Sequence, residues 1–176
     1  MKGKIILVVG LALALVGCGR RQDSSAVGAV YKAQSYTVGT KTTTLKATSN
    51  LTMTLSLASD HKLGMLQSST ATGGQYLEHS ELLTVAKQEL RRTGEVTTVQ
   101  YATASDLAHG INAAAYSYSQ EGQRGKLGRI TTTTAGLDLK LGRTTWHLRR
   151  IHKKTRFTLP YGIADQAKEI GVQALK

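Results

Sequence analysis

The chain has 176 residues, a formal net charge of +12, one cysteine, one tryptophan, one phenylalanine and one proline. A single thiol excludes an internal disulfide framework and a multi-cysteine metal site, so stability has to come from packing. The charge is uneven: between residues 122 and 164 there are ten Lys or Arg and one acid, Asp138, a pattern that speaks to partners rather than to fold.

The first element in chain order is an N-terminal export signal. Lys2 and Lys4 precede an unbroken apolar and glycine run from Ile5 to Val16, long enough for a secretory core and short of the ~20 residues of a membrane span. Leu15-Val16-Gly17-Cys18 closes the run, and these four residues resemble the lipobox of bacterial lipoproteins. The resemblance covers Met1 to Cys18 only. It implies that the Cys18 thiol receives a diacylglyceryl group, that a peptidase cuts just before it, and that the protein is extracytoplasmic and lipid-anchored to the bacterial cell membrane. Gly19, not aspartate, follows the cysteine; in a cell with two membranes that implies the outer one. The expected division is a signal peptide over 1–17, a lipidated flexible tether over 18–35 and one β-rich globular domain over 36–176.

Leu51, Met53, Leu55 and Leu57 alternate with Thr52, Thr54 and Ser56, the period of two of a strand with one buried face. Ser59-Asp60-His61-Lys62 supplies turn chemistry, and Leu63 to Leu66 reads as the returning strand. Ser68 to Gly74 reads as a loop. Leu82, Leu83, Ala86 and Leu90 recur at three-to-four spacing before Gly94, which predicts a helix over 77–92, with a hairpin turning near 91–94 as the competing reading. Residues 95–103 read as a strand and Gln120 to Gly128 as a loop; Ser105-Asp106 offers a cap for a short helix, which Gly110 and Tyr116-x-Tyr118 argue against, so that segment stays open. Arg129 to Thr134, Leu137 to Leu141 and Thr144 to Ile151 read as successive strands, with a turn before Arg156 to Leu159. Ile163, Ala167, Ile170 and Ala174 share a helical face and predict a C-terminal helix. The expected fold class is α+β, mainly antiparallel: a curved sheet or partly open small barrel with one or two packed helices.

Hydrolase signatures are missing, since no Gly-x-Ser-x-Gly elbow occurs and the lone cysteine is committed to lipid. The glycine-rich run Gly122 to Gly128 lacks phosphate-loop spacing. His61, His79, His109, His147 and His152 form no His-Glu-x-x-His motif; Glu78-His79-x-Glu81 reads as a solvated polar turn. No catalytic residue, metal or cofactor is therefore expected. Trp146 shares a strand face with Leu148 and Arg150, either as a core residue or as an aromatic platform in a barrel mouth.

The run Arg149 to Arg156 looks like a polyanion patch by charge. It lacks the interleaved aromatics of a base-stacking surface, so nucleic acid is not the expected partner. The candidate contact residues are Arg143, Arg149, Arg150, Lys153, Lys154 and Arg156, with Trp146 beside them. The expected function is non-enzymatic binding by this basic region to anionic lipid, wall polymer or another envelope protein. The alternative is a carrier or sensor holding an apolar or sugar ligand near Trp146.

Overall fold

Alternation along Leu51 to Leu57 sends Met53, Leu55 and Leu57 to the inside of a closed barrel, where Leu55 is 0% exposed. The computed structural model describes residues 25–59, 62–72, 75–101, 117–121 and 123–158. They form ten strands: β1 (Ser25–Val38), β2 (Lys41–Thr44), β3 (Leu51–Ala58), β4 (Leu63–Thr72), β5 (Gln75–Ala86), β6 (Glu89–Tyr101), β7 (Ser117–Glu121), β8 (Gly125–Thr132), β9 (Gly136–Leu141) and β10 (Thr144–Thr158). The sheet order is β10-β9-β8-β6-β5-β4-β3-β1-β2, β7 pairs with β6, and β1 also pairs with β10. That last pairing closes eight strands into an antiparallel barrel and removes the open edges of the wall.

The expected α+β class is corrected by this architecture. The described residues contain no helix, and the barrel is closed rather than partly open. The helix expected over 77–92 is the β5–β6 hairpin, which turns at Lys87 with φ 56°. Leu82 and Leu83 are both 0% exposed although they point to opposite faces. A wall segment buried on both sides fills alternate and intervening positions with leucine, and the result mimics helical spacing. The same double burial covers the outward row Val30, Ser56, Met65 and Leu82. The open segment around Ser105-Asp106 and the helix expected from Ile163 onward lie outside the described residues.

Other boundaries also move. The stretch read as a loop from Ser68 belongs to β4 as far as Thr72, and β8 begins at Gly125 inside the expected 120–128 loop. β10 continues without a break to Thr158, so the run read as a turn before Arg156 is strand. β1 begins at Ser25, inside the stretch read as tether over 18–35. Two-residue turns at Gly39-Thr40 and Gly142-Arg143 open with glycines at φ 60° and 56°, the left-handed conformation that tight hairpins need.

The interior is filled by Tyr31, Ala33, Met53, Leu55, Leu57, Leu66, Leu83, Leu90, Ile130, Leu137, Leu139, Trp146 and Leu148. Outward positions such as Lys32, Arg91, Lys126, Arg129 and Lys140 carry charge and are exposed.

Candidate functional site

The β1–β10 seam organises the basic residues. Ser25 lies opposite Thr158, Val27 opposite Arg156, Val30 opposite His152 and Lys32 opposite Arg149. The strand that leads back toward Cys18 therefore runs beside the basic end of β10. Lys32, expected within the tether, stands on the wall as the neighbour of Arg149. Two cations directly opposite each other repel, which weakens a strand pair unless an anion intervenes.

Arg150 is turned to a different use. Its Nη2 and Nε donate to the Tyr31 hydroxyl at 2.9 and 3.2 Å, and its guanidinium carbon lies 5.3 Å from the Tyr31 ring centroid. This fixes Arg150 at the barrel rim by hydrogen bonding and cation–π attraction. Lys153 is exposed on the same strand and Arg143 is exposed in the β9–β10 turn. Lys154 and Arg156 hold strand positions in β10, while their side chains lie outside the described residues, as does Cys18.

Trp146 is a core residue. It is 9% exposed, sits in the packed interior cluster, and meets Tyr36 at 4.9 Å between ring centroids with a 41° tilt. It presents no open platform for a ligand ring.

Next to Arg149 a groove of about 710 Å³ is lined by Gln34, Thr133, Thr134, Asp138, His147 and neighbouring wall residues. A linear hydrogen-bond chain ends there. His147 Nδ1 lies 2.8 Å from Asp138 Oδ1, and Nε2 lies 2.9 Å from Thr37 Oγ1, which is 2.8 Å from Thr42 Oγ1. The acceptor-only carboxylate places the ring proton on Nδ1, leaving Nε2 to accept from Thr37. An acid, an imidazole and a hydroxyl in series are the parts of a nucleophilic triad. Thr37 does not line the groove, however, so a substrate in it would meet the imidazole without the hydroxyl. Here the chain ties β9, β10, β1 and β2 together.

A second basic surface lies on the wall between β8 and β9. Arg129 pairs directly with Lys140 across the two strands. A groove of about 410 Å³ is lined by Lys126, Leu127, Gly128, Arg129, Lys140 and Gly142. Lys126 Nζ donates to Glu89 Oε1 at 2.7 Å. That hydrogen bond and the Lys126 charge, with Arg129 and Arg91 adding to them, hold the Glu89 carboxyl below its ordinary range.

Sequence reasoning missed a polar cluster inside the barrel. Glu81, 5% exposed, receives Arg92 Nη2 at 2.9 Å and His79 Nε2 at 3.1 Å on one oxygen, and His79 Nδ1 lies 3.1 Å from Thr98 Oγ1. Glu81 Oε2 and Arg92 Nε are buried and have no hydrogen-bond partner among the described residues. Burial pushes the Glu81 carboxyl up, but the hydrogen bonds from His79 and Arg92 and their charges outweigh it and leave it below its ordinary value. His79 and Glu81 are two apart on β5 and so share the inner face, while Glu78 points outward. The trio Glu78, His79 and Glu81 is thus not a single turn. Among the described residues no three His, Cys, Asp or Glu side chains converge as a metal site would require. Among them, too, no helix is long and apolar enough to cross a membrane.

Comparison with known proteins gave no match to a family model, to a curated protein or to a solved structure.

Proposed function

We propose that this protein is a lipid-anchored envelope protein that acts by binding, with the tether end of its barrel held against anionic lipid headgroups. The observation that supports this most is the register of β1 on β10, which sets Val27 beside Arg156 and Lys32 beside Arg149. Ser25 lies seven residue steps from Cys18, a reach of about 25 Å at ~3.5 Å per step. On so short a leash, the barrel end bearing Ser25 stays near the bilayer that holds the acyl chains. Each cation near an anionic surface contributes about 1 kcal/mol, and that attraction also relieves the repulsion between Lys32 and Arg149.

Anchoring is tested by feeding cells a fatty-acid probe and comparing the wild type with Cys18→Ala. The wild type takes up label and fractionates with membranes, whereas the variant takes up no label and is left uncleaved or released. An unlabelled wild type that still partitions with membranes contradicts the anchor.

A further inference from the structure

We infer that the β8–β9 wall carries a discrete phosphate-binding site, in which Arg129 and Lys140 clamp a phosphate group and Lys126 closes one side of the groove. This goes beyond the membrane-facing reading, because it lies on a different pair of strands and does not depend on Cys18.

Three observations carry it. Arg129 and Lys140 are exposed direct cross-strand partners, and neither makes an ion pair among the described residues. Like charges in that position destabilise a strand pair, so the fold holds two repelling cations together with no acid between them. The groove beside them, about 410 Å³, has no acid among the described residues that line it. Gly142, exposed with nothing within 4 Å of where a Cβ would stand, leaves one end of the groove open to a tetrahedral anion. Glu89, directly across from Arg129 on β6, is bonded to Lys126 at 2.7 Å and lies 3.9 Å from Arg91, and Asp138, two residues from Lys140, is bonded to His147; among the described residues neither acid makes an ion pair with Arg129 or Lys140.

The arrangement suits a phosphate better than a carboxylate. A guanidinium offers a planar fork to two oxygens, while an ammonium from the neighbouring strand meets a third. Phosphate of this kind comes either free in solution or as the headgroup of a lipid, and the site chemistry is the same for both.

The test uses the full chain in neutral detergent, with thermal unfolding followed in phosphate-free buffer, in inorganic phosphate and in short-chain phosphatidate. The wild type unfolds at a higher temperature with phosphate. Lys140→Gln loses most of that rise and binds phosphate at least tenfold more weakly. In phosphate-free buffer Lys140→Gln is as stable as the wild type or more so, because the repulsion is gone. Lys140→Arg keeps the rise, and Lys46→Gln, which removes a charge elsewhere, also keeps it. A rise with both ligands assigns the site to phosphate from either source, and a rise with phosphatidate alone assigns it to the lipid headgroup. The proposal is overturned if neither ligand raises the wild-type midpoint. It is equally overturned if Lys140→Gln retains the rise, or if Lys46→Gln loses as much of it as Lys140→Gln does.

Discussion

Gly28 on β1 stands between Thr155 on β10 and Ala58 on β3, at the point where the barrel wall closes. A Cβ at this position would overlap the Leu57 carbonyl oxygen, so the close approach of β1 to β3 depends on the missing side chain. Gly28→Ala is expected to lower stability by about 1–3 kcal/mol, the usual range for forced overpacking. Urea unfolding measures it, and a neutral effect would mean that the seam yields without cost.

Leu55 is fully buried on the inner face of β3, whereas Thr54 is half-buried on the outer face. Leu55→Ala should therefore cost roughly 2–5 kcal/mol, and Thr54→Ala less than about 1 kcal/mol. Equal losses in urea unfolding would mean that the two faces of β3 are not distinguished as described.

This strand was legible in the sequence because one of its faces is polar for most of its length. The β5–β6 hairpin was not. Leu82 outside and Leu83 inside are equally buried, so no period of two survives, and the turn at Lys87 carries neither glycine nor proline. Closure was equally hidden. Nothing local in Ser25 to Val38 states that it pairs with Thr144 to Thr158 from the far end of the described chain, and the mixture of Arg, Ser and Gly before it looks like tether. The concentration of charge was readable, but its division was not. Strand alternation and bulges turn Arg149 outward to Lys32, commit Arg150 to Tyr31, and put Arg129 against Lys140. The buried Glu81 was invisible for another reason: His79, Glu81, Arg92 and Thr98 are brought together only by the pairing of β5 with β6.

That cluster predicts a pH dependence. Glu81 is held ionised in the folded protein below its ordinary value of 4.5. As pH falls, the unfolded chain binds a proton at this position before the folded one does. The contribution of Glu81 is therefore complete above pH 4.5 and is lost as pH drops through the lowered folded value. Urea midpoints measured from neutral to acid pH should fall more steeply for the wild type than for Glu81→Gln across that window. Parallel curves would contradict the account.

Removing the partner instead of the carboxylate has a larger effect. Arg92→Met leaves a buried carboxylate without its guanidinium, and breaking such a pair costs about 3–5 kcal/mol. Arg91→Met, on the exposed outer face of the same strand, should shift stability by less than about 0.5 kcal/mol. Similar losses for the two would place Arg92 outside the interior network.

The claim that the tether end of the barrel faces anionic lipid is tested most directly by charge reversal and vesicle binding. Two double variants of the unlipidated chain carry the same change in net charge: Arg149→Glu with Lys153→Glu, and Lys41→Glu with Lys46→Glu at the opposite end of the barrel. Sedimentation with vesicles rich in phosphatidylglycerol is measured at low salt and near physiological salt, where the screening length is about 8 Å. With about 1 kcal/mol from each cation near the surface, the account predicts at least a tenfold loss of binding for the Arg149 and Lys153 pair. It predicts less than about a threefold loss for the Lys41 and Lys46 pair, and weaker wild-type binding at the higher salt. Equal losses for the two variants, or binding that ignores salt, would contradict it.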